Sequence, residues 1–538
     1  MREKLLHTPD GVKDYINGEY RKKLYIQDQI HQVFLHHGCL DIQPPTFEYF
    51  DVFGNEIGTT ASKDLFKFFD KEGHTLVLRS DFTPSIARCA AKYYLKDDEA
   101  VKLCYMGNTF SNSTEYQGKL KETTQCGVEL MGDASVSADG EILSMVVEAL
   151  NAIEITDFQI SVGHAGFFHA LIEACELEEQ ADILRELLDN KNFLGLESFI
   201  CELDVSDELK KLLGLLGCFN TTTEEMTKAI WMADNYPKVK TALCELDELN
   251  NRLEELGISQ YISYELGMIS NLSYYTGIIF AGYTYGMGEP IVKGGRYDKL
   301  LGNFGKSAPA IGFAFVVDQL LSAEEKTDRY LTFALGKGRL AKKTLKLLEQ
   351  IGITCEEIED PDTRKLIFVN EELKLKFFLS KGPDVPTYVE YGAADIGIVG
   401  KDTIAEEARN VYEVLDLGFG ACRMCICGPE SAKDLLNTQS QIRVATKYPR
   451  IAKEYFYNQK NQTVEIIKLN GSIELAPIVG LADVICDIVE TGATLRENGL
   501  TVLEEVCPLS ARMIVNQSSM KMENERITTL IRKLKEVM

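Results

Sequence analysis

The two halves of the chain differ in the spacing of their apolar residues. In the first half, helical spacing over 20–37 is followed by short segments rich in β-branched and aromatic residues. These β-like segments are 75–79, 101–106, 126–131 and 272–283. Between about 166 and 256 the pattern becomes helical and rich in Leu, Glu and Lys. We therefore expect an α+β domain, in which an antiparallel sheet carries an inserted helical subdomain.

In the second half, β-like and helical segments alternate along the chain. Residues 330–335 predict a strand, 336–339 a tight turn and 340–351 an amphipathic helix. Further predicted strands are 366–369, 376–379, 396–399, 422–427, 442–445, 464–469, 483–489 and 511–515. This alternation predicts an α/β fold with a parallel or mixed sheet covered by helices. A second lobe is predicted from about 421 to 507, before a last helix over 523–537.

A short charged segment, 322–329, separates the two halves and has no apolar anchor. A chain of 538 residues is also too long for a single hydrophobic core. We therefore expect two domains, at 1–325 and 330–538.

The net charge of −25 argues against a nucleic-acid partner, because phosphate backbones bind basic surfaces. A polyanionic substrate would therefore need locally concentrated Lys and Arg. No apolar run reaches the length of a bilayer, and the first residues lack a signal-peptide core. We expect a cytoplasmic protein with no membrane partner.

The fourteen cysteines are scattered through apolar segments, which is typical of buried thiols. The densest group, Cys422, Cys425 and Cys427, lacks the second ligand cluster that a zinc site needs. All seven histidines lie at or before His169. Chemistry in the C-terminal half therefore cannot use imidazole as a base or a metal ligand.

The strongest chemical signal is the stretch 474–495, in which an apolar run ends in a short loop. The loop consists of Thr491, Gly492, Ala493 and Thr494. Glycine permits a sharp turn, so that backbone N–H groups and Thr hydroxyls meet an anion at a helix N-terminus. Asp487 and Glu490, just upstream, could hold ribose hydroxyls or a magnesium ion. An ordinary strand and turn with a solvated Glu is the alternative.

Two further turns follow predicted strands. Lys337 and Arg339 lie where backbone donors and side-chain cations would converge on an anion, although a surface turn with solvated charges is the alternative. Asp395 and Lys401 bracket a second loop, which we place at the strand ends where open α/β sheets bind ligands.

The stretch 474–495 resembles the phosphoribosyl-diphosphate loop of the ATP phosphoribosyltransferase family. Four more segments resemble that family's other signatures in the same order, at 334–340, 384–390, 392–402 and 443–449. The resemblance implies a two-lobed fold like that of periplasmic binding proteins, without the regulatory domain of the long form. It also implies that ATP and phosphoribosyl diphosphate give N1-phosphoribosyl-ATP and diphosphate, with Mg²⁺, as the first step of histidine biosynthesis.

The same resemblance implies a role for each matching residue. Those implied to bind phosphoribosyl diphosphate are Asp487, Glu490, Thr491, Gly492, Ala493 and Thr494. The cations implied to neutralise the triphosphate and diphosphate are Lys337, Arg339, Arg364 and Lys381, and the further ATP contacts are Gly338, Asp395 and Lys401. Lys381 stands where many family members have Arg, and the carboxylate that meets Mg²⁺ is left open. Adenine N1 is a neutral nucleophile, so no protein base is obligatory.

Residues 5–322 resemble the catalytic core of histidyl-tRNA synthetase, a class II aminoacyl-tRNA synthetase. They resemble more closely its paralogue, the regulatory subunit that partners the short-form transferase. Ser111 and Gln319 stand where the synthetase has arginines, and 270–275 departs from its histidine motif. Because adenylate formation needs fixed positive charge, we expect no ligase activity.

The amino-acid pocket of the synthetase is better kept. The residues that match its histidine-binding positions are Asp81, Thr83, Tyr105, Gln125, Glu129, Tyr274 and Tyr275. Singly, each has a plain alternative as a core or solvated side chain. Jointly, a retained pocket without the catalytic arginines implies a histidine sensor for feedback inhibition, in a fused chain that forms a homotetramer. Whether this half also activates the transferase is left open.

Two other classes of protein make different predictions. If the first half were an active aminoacyl-tRNA ligase, it would catalyse histidine-dependent exchange of label between diphosphate and ATP. A non-enzymatic solute-binding receptor would account for two lobes, but it gives no reason for an internal phosphate loop.

Overall fold

The computed structural model describes residues 6–54, 60–95, 100–112, 119–189, 192–269, 275–323, 329–355, 358, 365–437 and 441–538. The chain divides into two compact units, Met1–Thr327 and Asp328–Met538. Each unit has hydrophobic cores of its own. Among the described residues, no helix combines the length and the apolar character that crossing a membrane requires.

The first unit combines eleven described strands with ten described α-helices. The strands are β1 Leu40–Asp41, β2 Phe47–Tyr49, β3 Lys67–Phe69, β4 Thr75–Leu78, β5 Val101–Phe110, β6 Glu122–Met131, β7 Phe158–His164, β8 Ile262–Tyr264, β9 Ile278–Thr284, β10 Val292–Arg296 and β11 Ala310–Val316. The helices are α1 Asn17–His36, α2 Thr83–Tyr93, α3 Val136–Ala152, α4 Ala165–Ala174, α5 Ala181–Asp189, α6 Phe193–Glu202, α7 Asp207–Gly214, α8 Thr223–Met232, α9 Pro237–Glu255 and α10 Val317–Leu320.

Eight of these strands form one sheet in the order β1-β5-β6-β11-β10-β9-β7-β8. The sheet is antiparallel, as predicted, apart from the parallel edge pairs β1–β5 and β7–β8. Helices α4 to α9 all lie in the chain between β7 and β8, where the helical pattern begins and ends. One apolar core, rich in side chains of α1, α3 and α9, contains β6 residues such as Val128, and a second core contains Phe82 and Tyr105.

The predicted strand at 272–283 is only partly found. The structure gives β9 as Ile278–Thr284, and residues 270–274 lie outside the described part of the chain. Strand β9 is buried along its whole length between β10 and β7. Its apolar residues are therefore those of a strand inside the sheet, buried on both faces.

The second unit contains a further eleven described strands and eight described α-helices. The strands are β12 Leu331–Gly336, β13 Ile367–Asn370, β14 Leu375–Ser380, β15 Ile396–Gly400, β16 Tyr412–Asp416, β17 Cys422–Gly428, β18 Ile442–Thr446, β19 Val464–Lys468, β20 Val484–Val489, β21 Thr501–Leu509 and β22 Ala511–Val515. The helices are α11 Arg339–Gln350, α12 Val385–Glu390, α13 Lys401–Glu407, α14 Pro449–Glu454, α15 Leu475–Ile478, α16 Ala493–Glu497, α17 Gln517–Met522 and α18 Asn524–Val537.

The second unit has two mixed sheets. The six-stranded sheet has the order β13-β14-β12-β15-β22-β16, with β14, β12 and β15 parallel. The five-stranded sheet has the order β19-β18-β20-β17-β21, with β19, β18 and β20 parallel. The carboxyl ends of neighbouring parallel strands lie side by side, so each sheet has one side where several strands end. We call that side the carboxyl edge of the sheet. These two carboxyl edges carry the charged and glycine-containing turns of the second unit.

Strands β16 and β21 were not predicted from the sequence. Strand β21 is the edge of the five-stranded sheet, and Leu509 is its only buried residue. It also contains Glu504, Glu505 and Pro508, which weaken the apolar alternation that identifies a strand. Its pairing with β17 is irregular at two places, so the pattern does not follow a strict period of two.

Candidate functional site

A buried carboxylate marks the pocket of the first unit. Glu129 lies on β6 with 1% of its surface exposed. The Thr83 hydroxyl donates to Oε1 at 2.6 Å, and the Tyr297 hydroxyl donates to Oε2. Gly312 faces Glu129 across the β6–β11 pair, and a Cβ at Gly312 would lie 1.7 Å from Oε2. The position opposite the carboxylate therefore requires glycine.

Burial raises the pKa of Glu129 to about 8, although the two hydroxyl donors oppose the shift. Between pH 4.5 and about pH 8, Glu129 has lost its proton in the unfolded chain but keeps it in the folded chain. The contribution of Glu129 to stability therefore falls as the pH rises through that range. This dependence comes from one group and is removable by mutation.

Glu129→Gln keeps the shape of the side chain but cannot ionise. We expect the unfolding temperature of the variant minus that of the unmodified chain to increase from about pH 5 to about pH 8. The reason is that only the unmodified chain loses the contribution of Glu129 to stability over this range. Thermal unfolding by circular dichroism at several pH values measures this difference. A difference that stays constant over the range would contradict the buried, proton-retaining carboxyl.

Two more polar groups of this pocket are buried without partners among the described residues. They are the Tyr105 hydroxyl and the Gln125 Oε1 atom. Tyr105 stacks on Phe82 with ring centroids 4.4 Å apart. Gln125, Gly127 and Glu129 are alternate residues of β6, so they face the same side of the sheet. Tyr105 is paired with Gly127 on β5 and therefore lies on that side as well. Buried polar atoms normally have hydrogen-bond partners, so this face is suited to a polar ligand.

The other predicted pocket residues are partly described. Asp81 is half-buried and accepts a weak hydrogen bond from the Thr83 amide at 3.4 Å. Tyr275 is half-buried beside Gly295, where a Cβ added to that glycine would lie 2.8 Å from a carbon of the tyrosine ring. Tyr274 lies outside the described residues. Asp81, Thr83, Tyr105, Glu129 and Tyr275 thus gather on one side of the sheet.

Two cations lie in the turn after β12 in the second unit. The Lys337 amide donates to the carbonyl of Ser380 at 2.8 Å, which fixes the turn against the end of β14. Gly338 precedes α11 and has φ 108° and ψ −147°. Glycine adopts this conformation readily, whereas other residues rarely do. The side chains of Lys337 and Arg339 are exposed at this carboxyl edge.

The neighbouring strand ends add further charges to the same edge. Lys381 follows β14 and is exposed, while Arg364 lies outside the described residues. Lys401 follows β15, and its Nζ is 2.5 Å from Oε2 of Glu413, so its charge is already balanced. Lys337, Arg339 and Lys381 are therefore the exposed predicted cations of this edge.

The predicted phosphate loop occupies the carboxyl edge of the five-stranded sheet. Gly492 has φ 69° at the start of α16, and Thr491, Ala493 and Thr494 are exposed. The Arg496 guanidinium donates to the carbonyl of Thr491 at 3.1 Å, which braces the turn. The loop is therefore held from within and open to solvent.

Three acidic or basic side chains flank this loop. Asp487 is half-buried on β20, and burial raises its pKa, with a further contribution from Glu474. Lys447, exposed just after β18, acts in the opposite direction on the same carboxyl. Glu490 is exposed at the end of β20. Negative charge thus accumulates beside the loop, where a cation would offset it.

Three contacts join the two carboxyl edges across a cleft. Arg339 Nη2 lies 3.7 Å from Oε2 of Glu490. The Asp402 carboxylate lies near the Tyr448 hydroxyl, and burial together with this carboxylate raises the pKa of Tyr448. The Glu406 carboxylate, on α13, accepts hydrogen bonds from the amides of Arg450 at 3.0 Å and Ile451 at 3.2 Å. The turn that carries Arg339 and the strand end that leads into the glycine–threonine loop therefore face each other across one cleft.

Comparisons with known proteins divide at the same place in the chain. Residues 11–320 match the family model described as Histidyl-tRNA synthetase, and 381–536 match that described as ATP phosphoribosyltransferase. The ATP phosphoribosyltransferase of Lachnoclostridium phytofermentans is 74% identical over 210 residues, which are 39% of this chain and 98% of that protein. This chain belongs to the ATP phosphoribosyltransferase family.

The rest of the chain is similar to that family's regulatory subunits. The ATP phosphoribosyltransferase regulatory subunit of Acetivibrio thermocellus is 38% identical over 327 residues, covering 61% of this chain and 78% of that protein. A crystal structure from Bacillus halodurans, described as an ATP phosphoribosyltransferase regulatory subunit/histidyl-tRNA synthetase, has a TM-score of 0.56 and 29% identity. It covers 70% of this chain and 99% of that one. The chain is a fusion of a synthetase-like regulatory domain with an ATP phosphoribosyltransferase of histidine biosynthesis.

One residue assigned to ATP from the sequence lies far from the transferase cleft. Asp395 is 1% exposed at the beginning of β15, the end opposite to Lys401. Its carboxylate accepts from Arg329 at 2.6 Å, the Thr332 amide at 2.7 Å and the Ser519 hydroxyl at 2.5 Å. These contacts give Asp395 a place in the packing of the six-stranded sheet.

Other residues of the transferase cleft were not assigned to it from the sequence. They are Asp402, Glu406, Lys447 and Tyr448. Lys447 and Tyr448 belong to the family-like segment 443–449, which was the available signal. In the regulatory pocket, Tyr297 was also missed, because its contact with Glu129 joins residues 168 positions apart.

Proposed function

We propose that the chain transfers the phosphoribosyl group of phosphoribosyl diphosphate to N1 of ATP, and that its regulatory domain senses histidine. The observation that carries the catalytic part is the approach of the exposed Arg339 guanidinium to Glu490, the residue that immediately precedes the Thr491–Thr494 loop. The two mixed sheets joined at their carboxyl edges also support a two-lobed architecture like that of periplasmic binding proteins. Ligands in such folds bind between the lobes, at strand carboxyl ends.

The phosphate loop would hold the sugar substrate. Exposed backbone N–H groups and the hydroxyls of Thr491 and Thr494 would contact the 5′-phosphate, while Asp487 or Glu490 would accept from the ribose hydroxyls. The contact between Glu490 and Arg339 would bring a cation of the opposite edge next to the sugar. The bond that breaks would therefore lie between the two edges of the cleft.

Departure of diphosphate builds negative charge on the leaving group and positive character on the ribose carbon. Lys337, Arg339 and Lys381 would stabilise the leaving group, and Lys447 approaches from the loop side. Mg²⁺ binds oxygen ligands and usually uses one or two carboxylates together with substrate phosphates. The acidic pair Asp487 and Glu490 offers those donors, and when bound the ion would neutralise diphosphate charge.

The nucleophile would be adenine N1 itself. The second unit contains no histidine, and burial beside Asp402 raises the pKa of Tyr448, so its hydroxyl keeps its proton. The cleft would therefore work by orienting the two substrates and by stabilising charge. No residue of the cleft is required to remove a proton from N1.

The regulatory pocket would bind free histidine. The unpartnered Tyr105 hydroxyl and Gln125 oxygen would gain partners from such a ligand, and leaving them buried and unsatisfied is costly. Asp81 and Glu129 would accept from its amino and imidazole groups. Ser111 and Gln319 leave the neighbouring nucleotide region without the arginines of a ligase. We further propose a cytoplasmic homotetramer, in which histidine binding disfavours the active cleft.

Two binding and exchange experiments on the full chain test these assignments. We expect calorimetry to show saturable binding of both phosphoribosyl diphosphate with Mg²⁺ and histidine. We expect no histidine-dependent exchange of label between diphosphate and ATP. Exchange at a measurable rate would favour a live ligase, and heat from neither ligand would reject both sites.

The contact of Glu406 makes a separate prediction about the transferase cleft. Glu406→Ala removes two amide-to-carboxylate hydrogen bonds that join the sheets, and charge-assisted bonds contribute about 1.5–3 kcal/mol each. We expect kcat/KM for phosphoribosyl diphosphate to fall at least about tenfold, because closing the cleft becomes less favourable. Glu407→Ala, the next residue of α13, is the matched control. Equal losses in the two variants would mean that the contact does not hold the cleft.

A further inference from the structure

A group of three chemically different side chains lies at the β1 edge of the eight-stranded sheet. His31 is on α1, Asp41 on β1 and Cys104 on β5, directly opposite Asp41 in the parallel register. His31 Nε2 is 2.7 Å from Asp41 Oδ1, and the Cys104 thiol donates to the same oxygen at 3.5 Å. The three potential ligand atoms all lie within 4.8 Å of one another.

The arrangement does not suit nucleophilic catalysis. The imidazole and the thiol both contact the carboxylate, so the imidazole is not bonded to the sulfur that it would have to activate. Cys104 is also 1% exposed, and burial raises the pKa of its thiol to about 12. A thiol that keeps its proton and is closed to solvent is a poor nucleophile, whereas a bound metal ion displaces the proton of a thiol ligand.

We infer that His31, Asp41 and Cys104 form a binding site for a zinc-like divalent cation. Nitrogen, oxygen and sulfur donors together favour borderline metals such as Zn²⁺ over Mg²⁺. Zinc–ligand bonds of about 2.0–2.3 Å in a tetrahedron place neighbouring ligand atoms about 3.3–3.8 Å apart, which these side chains reach by small movements. Asp41 is largely exposed, so water can complete the fourth position.

A second group, Asp70, Glu72 and His74, lacks these properties. Its members lie within five consecutive residues of one exposed turn, and it contains no sulfur. Asp70 is already used by the amides of Glu72 and His74 and by the His74 ring. The turn explains that cluster without a metal.

A cation at the first group would join three separate elements. Strand β1 has two residues and lies at the sheet edge, while α1 packs against β5 and β6. Because binding of a metal to the folded form alone adds to folding stability, the ion would fasten this edge of the regulatory domain. The site is thus structural and distinct from the Mg²⁺ proposed for the transferase cleft.

Cobalt titration of the full-length chain tests the site directly. Substoichiometric Co²⁺ is expected to give a thiolate-to-cobalt charge-transfer band, which one equivalent of Zn²⁺ removes. Cys104→Ser should abolish the band, whereas Cys126→Ser, which alters an equally buried thiol on β6, should retain it. No band in the unmodified chain, or a band that persists in Cys104→Ser, would overturn the inference.

A second measurement does not depend on a buried substitution. His31 and Asp41 are partly exposed, so His31→Asn and Asp41→Asn leave the core intact. Zinc affinity, measured by competition with a chromogenic chelator, should fall at least about tenfold in each variant. Zinc should also raise the unfolding temperature of the unmodified chain. Unchanged affinity in both variants would reject the site even if zinc binds elsewhere.

Discussion

Alanine at Lys337 or at Lys381 is expected to lower kcat/KM for N1-phosphoribosyl-ATP formation by about 100- to 1,000-fold, the loss typical of one charge-stabilising donor. Both ammonium groups are exposed at the carboxyl ends of the adjacent parallel strands β12 and β14. The hydrogen bond from the Lys337 amide to the Ser380 carbonyl joins these two strand ends. Their charge would act on the departing diphosphate. Because that charge grows in the transition state, kcat should fall along with kcat/KM.

The control for these variants is Lys346→Ala. Lys346 is an exposed lysine on the same helix as Arg339, two turns further from the cleft. Steady-state kinetics should show no comparable loss in this variant. If Lys346→Ala and Lys337→Ala behaved alike, the effect would be one of net charge, and the cleft assignment would fail.

Glu129→Ala is expected to abolish inhibition by histidine while turnover without histidine is retained. The substitution removes the carboxylate that Thr83 and Tyr297 hold in the regulatory pocket. A coupling of about 1–3 kcal/mol corresponds to inhibition of about 5- to 150-fold, and this factor should approach one. The measurement is the initial rate at several histidine concentrations.

Tyr105→Phe serves as the companion variant, because the truncation of Glu129 leaves a cavity beside Gly312. It removes only the unpartnered hydroxyl and keeps the stacking on Phe82. We expect weaker histidine inhibition with an unchanged unfolding temperature. Full sensitivity to histidine in both variants would place the effector elsewhere.

The sequence predicted the local chain conformation around the candidate site. The glycines at 338 and 492 adopt positive φ, and the charged turns follow strands, as their composition indicated. Asp395, which the sequence assigned to ATP, lies apart from these turns. It is six residues from Lys401 in sequence, but the extended strand β15 separates them, so the two lie at opposite edges of the sheet.

The contacts between elements were beyond the reach of sequence patterns. Glu406 meets the amide of Arg450 across 44 positions, and Tyr297 meets Glu129 across 168. Neither pair has a periodic or local signature, since each arises only when two sheets or two distant strands pack together. The edge strand β21 was missed for a related reason, because its largely solvated residues carry little apolar pattern.

The most direct test of the account is the rate of N1-phosphoribosyl-ATP formation by the full-length chain, followed by absorbance while histidine is varied. We predict turnover that requires ATP, phosphoribosyl diphosphate and Mg²⁺, and that falls saturably as histidine is added. Absence of product, or a rate that histidine leaves unchanged at every concentration, would contradict the account.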